Sequence, residues 1–256
     1  MRNRYLENLN KIEFVVTYAC TGRCKHCSEG EHPACGEFID PRLACEVVQK
    51  ISSQYNIKTV MTFGGEPLLH WEVVAEIMST AKSLSITHRQ VITNGYFLND
   101  IDEIKRVARV LYECGVNDLF LSVDAFHQET IPLETVKIFA KEVKAVGVPL
   151  RLSPAWLVSP DDNNPYNNKT REILKSFSDM NVPIGEGNVV FPEGNALKYL
   201  SEYFSENTPE NPYMENPEDV TCVSFNPNGD VFDQNIHHKG ILDILNEYKP
   251  FELSQV

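Results

Sequence analysis

Residues 13–27, EFVVTYACTGRCKHC, place a short apolar run directly before three closely spaced cysteines. The run at residues 13–17 has the composition of a buried strand, and Cys20, Cys24 and Cys27 lie on the segment that follows it. In sheets of parallel strands, the reactive residues lie on the loops that leave the carboxyl ends of the strands. This stretch therefore predicts a strand of such a sheet together with a reactive loop.

The same alternation of strand and helix patterns continues to residue 191. Asp40 and Pro41 predict the start of a helix, because aspartate caps a first turn and proline fits its first position. Segments with apolar residues at helical spacing separate six strand-like runs, at residues 13–17, 59–63, 90–93, 119–123, 149–153 and 188–191. Six units are too few for an eightfold barrel, so the pattern predicts an α/β fold, a partial (β/α)6 barrel with a curved parallel sheet.

Length and charge set the broad class of the protein. The chain has 256 residues and a net charge of −13, and we expect a core domain at residues 1–192 with a short, loop-rich C-terminal extension at residues 193–256. The excess of acid argues against a nucleic-acid partner, since that binding depends on lysine and arginine. No apolar run approaches the roughly 20 residues that cross a membrane, and the N-terminus lacks the apolar centre of a signal peptide. A cytoplasmic protein without a membrane partner is expected.

Seven cysteines in such a chain indicate a metal site rather than disulfides, because the cytosol keeps thiols reduced. The three clustered cysteines suit a [4Fe–4S] cluster with one iron left open to another ligand. Structural zinc usually takes four ligands, often as two separated pairs, and no second pair of this kind is present. A zinc site completed by His26, His32 or Cys35 stays open as an alternative.

Glycines and polar residues follow the next four strands and are expected at the same rim of the sheet. In chain order they are Gly64, Gly65, Glu66 and Pro67; Asn94; Ser122 and Asp124; and Ser153. Gly64 and Gly65 let a ligand approach the backbone closely, and Glu66 could accept a hydrogen bond from an ammonium group. For Ser122 or Asp124 singly, capping of the strand end is an equally good interpretation.

This combination resembles the radical S-adenosylmethionine superfamily. The resemblance covers residues 13–191 and rests on the Cys-x3-Cys-x2-Cys loop, followed one strand later by Gly-Gly-Glu-Pro. It implies an enzyme with a [4Fe–4S] cluster that reductively cleaves S-adenosylmethionine to a 5′-deoxyadenosyl radical, which takes hydrogen from a substrate. It also implies a low-potential electron donor, such as flavodoxin or ferredoxin.

The resemblance assigns roles to individual residues. Cys20, Cys24 and Cys27 would ligate three irons, and the fourth iron would bind the amino and carboxylate groups of S-adenosylmethionine. Further contacts to that cofactor would come from Gly64, Gly65 and Glu66 at its amino group, with Pro67 in the same turn; His26 near the adenine; Asn94; and Ser122, Asp124, Arg151 and Ser153 near the ribose or the carboxylate. His26 departs from the family, which usually has an aromatic residue at this position.

The C-terminal part offers one more candidate residue, Cys222. It lies in a strand-like run at residues 221–225, to which Val231 and Phe232 could pair back as a hairpin, after a predicted exposed loop at residues 207–219. The segment is similar to the start of the cysteine-rich C-terminal domains of peptide-modifying members, but no further cysteine follows, so no second cluster is expected. Cys222 is either a buried structural thiol or the donor that returns a hydrogen atom to a substrate radical, as in a peptide epimerase.

Three functions are therefore open. The tail and the acidic composition favour a radical enzyme that modifies or epimerises a peptide. A radical enzyme acting on a nucleotide or another small molecule is the alternative within enzymes. A non-catalytic zinc-binding interaction module is the alternative from another class.

Overall fold

The computed structural model describes residues 3–206, 208 and 210–250; Asn207 and Pro209 of the predicted exposed loop lie outside this range. The strands are Lys11–Val15 (β1), Thr59–Phe63 (β2), His88–Thr93 (β3), Asp118–Ser122 (β4), Leu150–Ser153 (β5), Ala155–Trp156 (β6), Asn188–Val189 (β7), Cys222–Phe225 (β8), Asp230–Val231 (β9) and Gln234–Asn235 (β10). The α-helices are Pro41–Gln54 (α1), Trp71–Ser83 (α2), Ile101–Glu113 (α3), Ala125–Gln128 (α4), Leu133–Val146 (α5), Pro165–Lys175 (α6), Gly194–Tyr199 (α7) and Ile241–Glu247 (α8). Short 3-10 helices lie at Arg4–Leu6, Pro67–His70, Ser178–Met180 and Ser201–Tyr203. Within these ranges, no helix combines the length and the apolar character needed to span a membrane.

Six parallel strands form the central sheet, in the order β5-β4-β3-β2-β1-β8. The predicted α/β fold and partial barrel are confirmed. The start of α1 follows the predicted chemistry, because the Asp40 carboxylate accepts a hydrogen bond from the backbone N–H of Arg42 at 2.8 Å and Pro41 is the first helical residue.

The identity of the sixth strand in the sheet was predicted wrongly. Residues 188–191 do not extend the sheet beyond β5: Asn188 and Val189 pair with Ala155 and Trp156 in a separate two-stranded ribbon. The sixth position belongs to β8, which lies parallel to β1 on the opposite side of the sheet. Side-chain packing explains the choice, because Phe225 of β8 stacks on Phe14 of β1 with ring centroids 5.2 Å apart, and both rings are fully buried.

The hairpin expected in the C-terminal extension also forms differently. Val231 pairs with Gln234 in the short antiparallel ribbon of β9 and β10, rather than with residues 221–225. β8 instead pairs with β1 along one edge, and its alternating apolar residues Val223 and Phe225 pack into the central core.

The sheet has two distinct faces. One face packs against the helices through alternating apolar residues such as Ile12, Leu121 and Val223. The other face, here called the inner face, carries the residues between them. From β8 to β5 these include Cys222 and Ser224; Lys11 and Glu13; Gln90 and Ile92; Asp118, Phe120 and Ser122; and Arg151 and Ser153. The ends of β1 and β2 add the apolar side chains of Val15, Met61 and Phe63 to this face, so it offers a mixed polar and apolar surface to a ligand.

Candidate active site

A pocket at the carboxyl ends of the strands, here called the rim pocket, joins the loops that follow β1, β2, β3 and β4. Its lining residues are Cys20, Gly22, Cys24, His26, Cys27, His32, Gly64, Gly65, Ile92, Thr93, Asn94, Ser122 and His127. The rim pocket therefore brings together all three clustered cysteines and much of the predicted cofactor set, as expected for parallel strands whose carboxyl ends share one edge.

The thiols of Cys20 and Cys24 border one space beside Gly22. A Cβ added to Gly22 would lie 3.2 Å from Cys24 Sγ and 3.7 Å from Cys20 Sγ, so the missing side chain leaves room between them. Cys27 Sγ lies 3.1 Å from His32 Nε2 at the outer side of the loop. Three soft sulfur donors around one pocket fit a [4Fe–4S] cluster that leaves one iron open.

Burial makes the thiolate forms of Cys20 and Cys24 unfavourable unless a cation is bound beside them. It raises the pKa of Cys20 to about 11 and raises the pKa of Cys24 still further, with neighbouring carboxylates and thiols adding to the effect. A buried thiolate is costly without a compensating positive charge, which metal ions supply when thiols deprotonate to bind them. The donor set and its environment are thus suited to iron.

Glycine is required after β2 because this loop lies against the start of the cysteine loop. A Cβ on Gly65 would lie 2.2 Å from the carbonyl oxygen of Ala19. The backbone N–H groups of Gly65 and Glu66 donate to the carbonyls of Thr17 and Ala19, both at 2.8 Å. The Gly-Gly segment therefore fixes the position of the cysteine loop and also exposes backbone to the rim pocket.

Glu66 lies beneath the pocket rather than along its wall. Its carboxylate is fully buried and accepts hydrogen bonds from Thr93 Oγ1 at 2.7 Å, Asn94 N at 2.8 Å and Leu68 N at 2.9 Å. Burial raises the pKa of Glu66 to about 7, against the effect of these three donors. Pro67 begins the short 3-10 helix that follows. In this structure Glu66 joins the loop after β2 to the end of β3.

Asn94 contacts one of the three clustered cysteines, Cys20. Its Nδ2 lies 3.6 Å from Cys20 Sγ and donates to Thr21 Oγ1 at 3.1 Å, while its Oδ1 accepts from Tyr96 N. Hydrogen bonds to cluster sulfurs tune the reduction potential of iron–sulfur sites. Asn94 is therefore placed to influence the electronic state of a cluster held at Cys20.

Asp124 caps α4 and holds a histidine that the sequence interpretation missed. Its Oδ1 accepts from the N–H groups of Phe126 and His127, both at 2.9 Å, and its Oδ2 lies 2.8 Å from His127 Nδ1. Burial alone would raise the pKa of Asp124, but the charge and hydrogen bonds of His127 outweigh it and hold the pKa at about 2. The capping interpretation fits Asp124. The contact with His127 could have been predicted from the Asp-x-x-His spacing, which brings the two side chains together on the first turn of a helix.

His26 and His127 line the rim pocket next to each other, and the fully buried ring of Phe126 packs on His26. The His26 ring lies 4.8 Å, between centroids, from both His127 and Phe126, and its Nδ1 is a buried atom without a hydrogen-bond partner in the structure. Burial lowers the pKa of His26 to about 4, so the ring is neutral at neutral pH. The neutral, flat imidazole of His26 can pack on a planar ligand group, and its unpartnered Nδ1 can form a hydrogen bond to that group.

The remaining predicted residues do not all reach the rim pocket. Ser122 lines it, and Ser153 is the register partner of Ser122 on β5. Arg151 lies further back on β5, where its Nη2 contacts Asp118 Oδ1 at 2.7 Å.

Cys222 is at the opposite end of the inner face. It pairs with Lys11, the first residue of β1, whereas the cysteine loop leaves the sheet after Val15, about 13 Å further along at 3.3 Å per residue. Burial, with the charge of Glu13 adding to it, raises the pKa of Cys222 well above its ordinary value. The thiol therefore stays protonated at neutral pH.

Comparison with known proteins gives the same picture as the geometry. The family model of the Radical SAM superfamily matches residues 14–149. This match includes the cysteine loop, the Gly-Gly-Glu-Pro turn and the ends of β3 and β4.

Curated proteins with similar sequences include two probable GTP 3′,8-cyclases. A probable GTP 3′,8-cyclase of Saccharolobus islandicus (strain L.S.2.15 / Lassen #1) is 26% identical over 220 residues, covering 79% of this chain and 67% of that protein. A probable GTP 3′,8-cyclase of Sulfolobus acidocaldarius is 29% identical over 162 residues, covering 60% of this chain and 49% of that protein. The chain thus spans about half to two thirds of the length of these relatives.

Two solved structures share the fold at low identity. Streptococcus suis SuiB bound to precursor peptide SuiA superimposes with a TM-score of 0.60 at 13% identity, covering 94% of this chain and 65% of that chain. Native anSMEcpe with bound AdoMet superimposes with a TM-score of 0.59 at 14% identity, covering 94% of this chain and 81% of that chain. These likenesses concern the fold.

Proposed function

Because the chain belongs to the radical S-adenosylmethionine superfamily, we propose that it acts on a peptide, from which it removes a hydrogen atom in a modification or epimerisation. Members of this superfamily are enzymes that bind a [4Fe–4S] cluster and S-adenosylmethionine. This family membership replaces the alternative interpretation of the chain as a zinc-binding module. When bound, the cluster supplies the electron that cleaves S-adenosylmethionine to methionine and a 5′-deoxyadenosyl radical, the species that abstracts hydrogen from substrate.

The residues of the rim pocket divide the work of holding these groups. Cys20, Cys24 and Cys27 would ligate the cluster. The exposed backbone of Gly64 and Gly65 would receive the amino group of S-adenosylmethionine, and the carboxylate of Glu66 would hold the rest of this turn against the end of β3 through Leu68 N and Asn94 N. His26 would pack on the adenine, with Asn94 beside Cys20. Ser122, Ser153 and Asp124 would serve the ribose or the carboxylate, with Asp124 acting through the His127 ring that it holds. Arg151, which contacts Asp118, would act further along the inner face.

The placement of Cys222 is the observation that carries the peptide proposal. A substrate on the inner face would lie between the rim pocket, at the carboxyl ends of the strands, and Cys222, at their amino ends. Inversion of a carbon centre needs hydrogen to leave from one face and to arrive from the other. A protonated thiol on the far side of the substrate meets this requirement.

The return step balances simply. The S–H bond of Cys222 would break as a C–H bond forms at the substrate carbon radical, which leaves a thiyl radical on Cys222. One electron from a low-potential donor such as flavodoxin or ferredoxin, together with one proton from solvent, would restore the thiol. Glu13, on the same face two residues along β1 from the register partner of Cys222, adds a carboxylate near this thiol, where it is paired with Lys11.

A nucleotide substrate is the second candidate, favoured by the probable GTP 3′,8-cyclases among the relatives. A nucleoside triphosphate needs cations for its phosphates. Lys11 and Arg151 of the inner face are already paired, with Glu13 at 2.5 Å and with Asp118 at 2.7 Å. This pairing supports the peptide over the nucleotide.

The deciding experiment supplies the anaerobic, cluster-loaded enzyme with dithionite, S-adenosylmethionine and either GTP or each short peptide that a search of the neighbouring genes identifies, in D2O. We expect the peptide to stimulate 5′-deoxyadenosine formation and to gain one solvent deuterium on carbon, because the thiol hydrogen exchanges with solvent. Cys20→Ala serves as the inactive control. Stimulation by GTP alone would instead assign the nucleotide function.

A further inference from the structure

The cysteine loop is also held by a residue far along the chain, Asn195 in α7. Its Nδ2 donates to the carbonyl oxygens of Cys24 at 3.1 Å and Gly30 at 3.0 Å, and its backbone N–H donates to the carbonyl of Cys27 at 2.8 Å. Asn195 is only 7% exposed. One residue thus binds the carbonyls of two of the three clustered cysteines: the buried side chain holds Cys24 and the end of the loop at Gly30, and the backbone N–H holds Cys27.

The residue before it makes this contact possible. Gly194 has a φ of +50°, and a Cβ added there would lie 2.2 Å from the carbonyl oxygen of Ser28. Ala196, next in the helix, is fully buried in the same apolar group as Cys24. Close approach of α7 to the cysteine loop therefore depends on glycine at position 194.

We infer that Asn195 is a positioning residue that sets the backbone of Cys24 and Cys27 so that their thiols meet the cluster. The inference rests on the proposed role of the three cysteines as cluster ligands. Residues 20–30 contain no regular secondary structure, so their shape depends on such bonds. Groups that orient metal ligands typically affect metal affinity by about 10–100-fold when removed.

Asn195→Asp tests the donors with almost no change of shape. The carboxylate has no N–H to give and would place an oxygen against the carbonyls of Cys24 and Gly30. Asn167→Asp is the matched control. Asn167 is fully buried, and its Nδ2 donates to three carbonyls (Leu157 at 3.0 Å, Ser159 at 2.8 Å and Asp162 at 3.1 Å) outside the cysteine loop.

The measurement is the rate at which a ferrous chelator strips iron from the anaerobically reconstituted enzyme, followed beside thermal unfolding. We expect Asn195→Asp to lose iron about tenfold faster than the parent protein. We expect Asn167→Asp to lose iron at the parent rate, even if its unfolding temperature falls by as much as that of Asn195→Asp. Equal rates for Asn195→Asp and the parent, or equal acceleration by both variants, would overturn the inference.

Two further variants complete the test. Gly194→Ala moves α7 away from Ser28 and leaves the amide group of Asn195 chemically unchanged. If Asn195→Asp does not fold, the rate of iron loss from Gly194→Ala is compared with that of the parent protein instead. Cys20→Ala reports on the proposed function itself, since a ligand variant must lower the iron content of reconstituted protein. Loss of iron in Cys20→Ala, with parent rates in Asn195→Asp and Gly194→Ala, would reject only the inference about Asn195, whereas full iron in Cys20→Ala would reject the ligand assignment.

Discussion

The carboxylate of Glu66 accepts a hydrogen bond from the backbone N–H of Asn94 at 2.8 Å, which joins the loop after β2 to the end of β3 beneath the rim pocket. Glu66→Gln removes one acceptor oxygen and leaves a buried donor unsatisfied, so we expect a loss of about 1–3 kcal/mol in the free energy of unfolding. Thermal unfolding of the cluster-loaded protein measures this. Glu72→Gln, which changes an exposed carboxylate on α2, is the control and is expected to leave the stability unchanged.

The same carboxyl group gives stability a pH dependence of unusual sign. Because burial raises the pKa of Glu66 to about 7 from its ordinary 4.5, the folded state retains a proton that the unfolded state has released. Stability should therefore fall as pH rises from 4.5 to 7, by up to about 3 kcal/mol. The stability gap between the parent protein and Glu66→Gln should narrow over this range, and a gap that widens or stays constant would contradict the assignment.

Asp124 should produce the opposite dependence at lower pH. Its pKa is held at about 2, below its ordinary 3.8, so its stabilising contribution is complete above pH 3.8 and is lost as pH falls toward 2. The loss amounts to about 2 kcal/mol. Asp124→Asn should lack this acid-dependent component when unfolding is followed between pH 5 and 2, and an unchanged acid profile would rule out the contribution of Asp124.

Asn94 should raise the potential of the cluster through its contact with Cys20 Sγ. Removing a donor from a cluster sulfur leaves more electron density on the iron, so Asn94→Ala should lower the midpoint potential. A redox titration followed by electron paramagnetic resonance measures the shift. Asn117→Ala, at the amino end of β4, changes an asparagine that bonds to Arg89 and Thr87, and should leave the potential unaltered.

Cys222→Ala separates cleavage of S-adenosylmethionine from return of hydrogen. We expect the variant to form 5′-deoxyadenosine with the peptide substrate at the parent rate within about threefold, since Cys222 lies away from the rim pocket. The peptide product should contain no solvent deuterium. Cys45→Ala, which changes another half-buried thiol, should give labelled product, and labelled product from Cys222→Ala would return Cys222 to a structural role.

The strand pattern predicted that the residues after the strands would lie close together, because the carboxyl ends of neighbouring parallel strands share one edge of the sheet regardless of how the side chains pack. Cys20, Gly65 and Ser122 reach one pocket for that reason. The roles of Glu66 and His127 depend on which donors surround a buried carboxylate or ring, and local sequence does not specify them. Periodicity likewise identified residues 221–225 as a strand but not its partner, since side-chain alternation defines a face and leaves the neighbour open.

The position of β8 has a consequence for biosynthesis. The strand that carries the cysteine loop has an unpaired edge until residues 222–225 have emerged from the ribosome, about 200 residues after β1. At about 5–20 residues per second this interval lasts about 10–40 seconds, during which the nascent sheet exposes an aggregation-prone edge. Asn195 also arrives late in this interval. Maturation with iron is therefore expected to follow completion of the chain, and a nascent chain stalled before residue 195 should not retain a cluster.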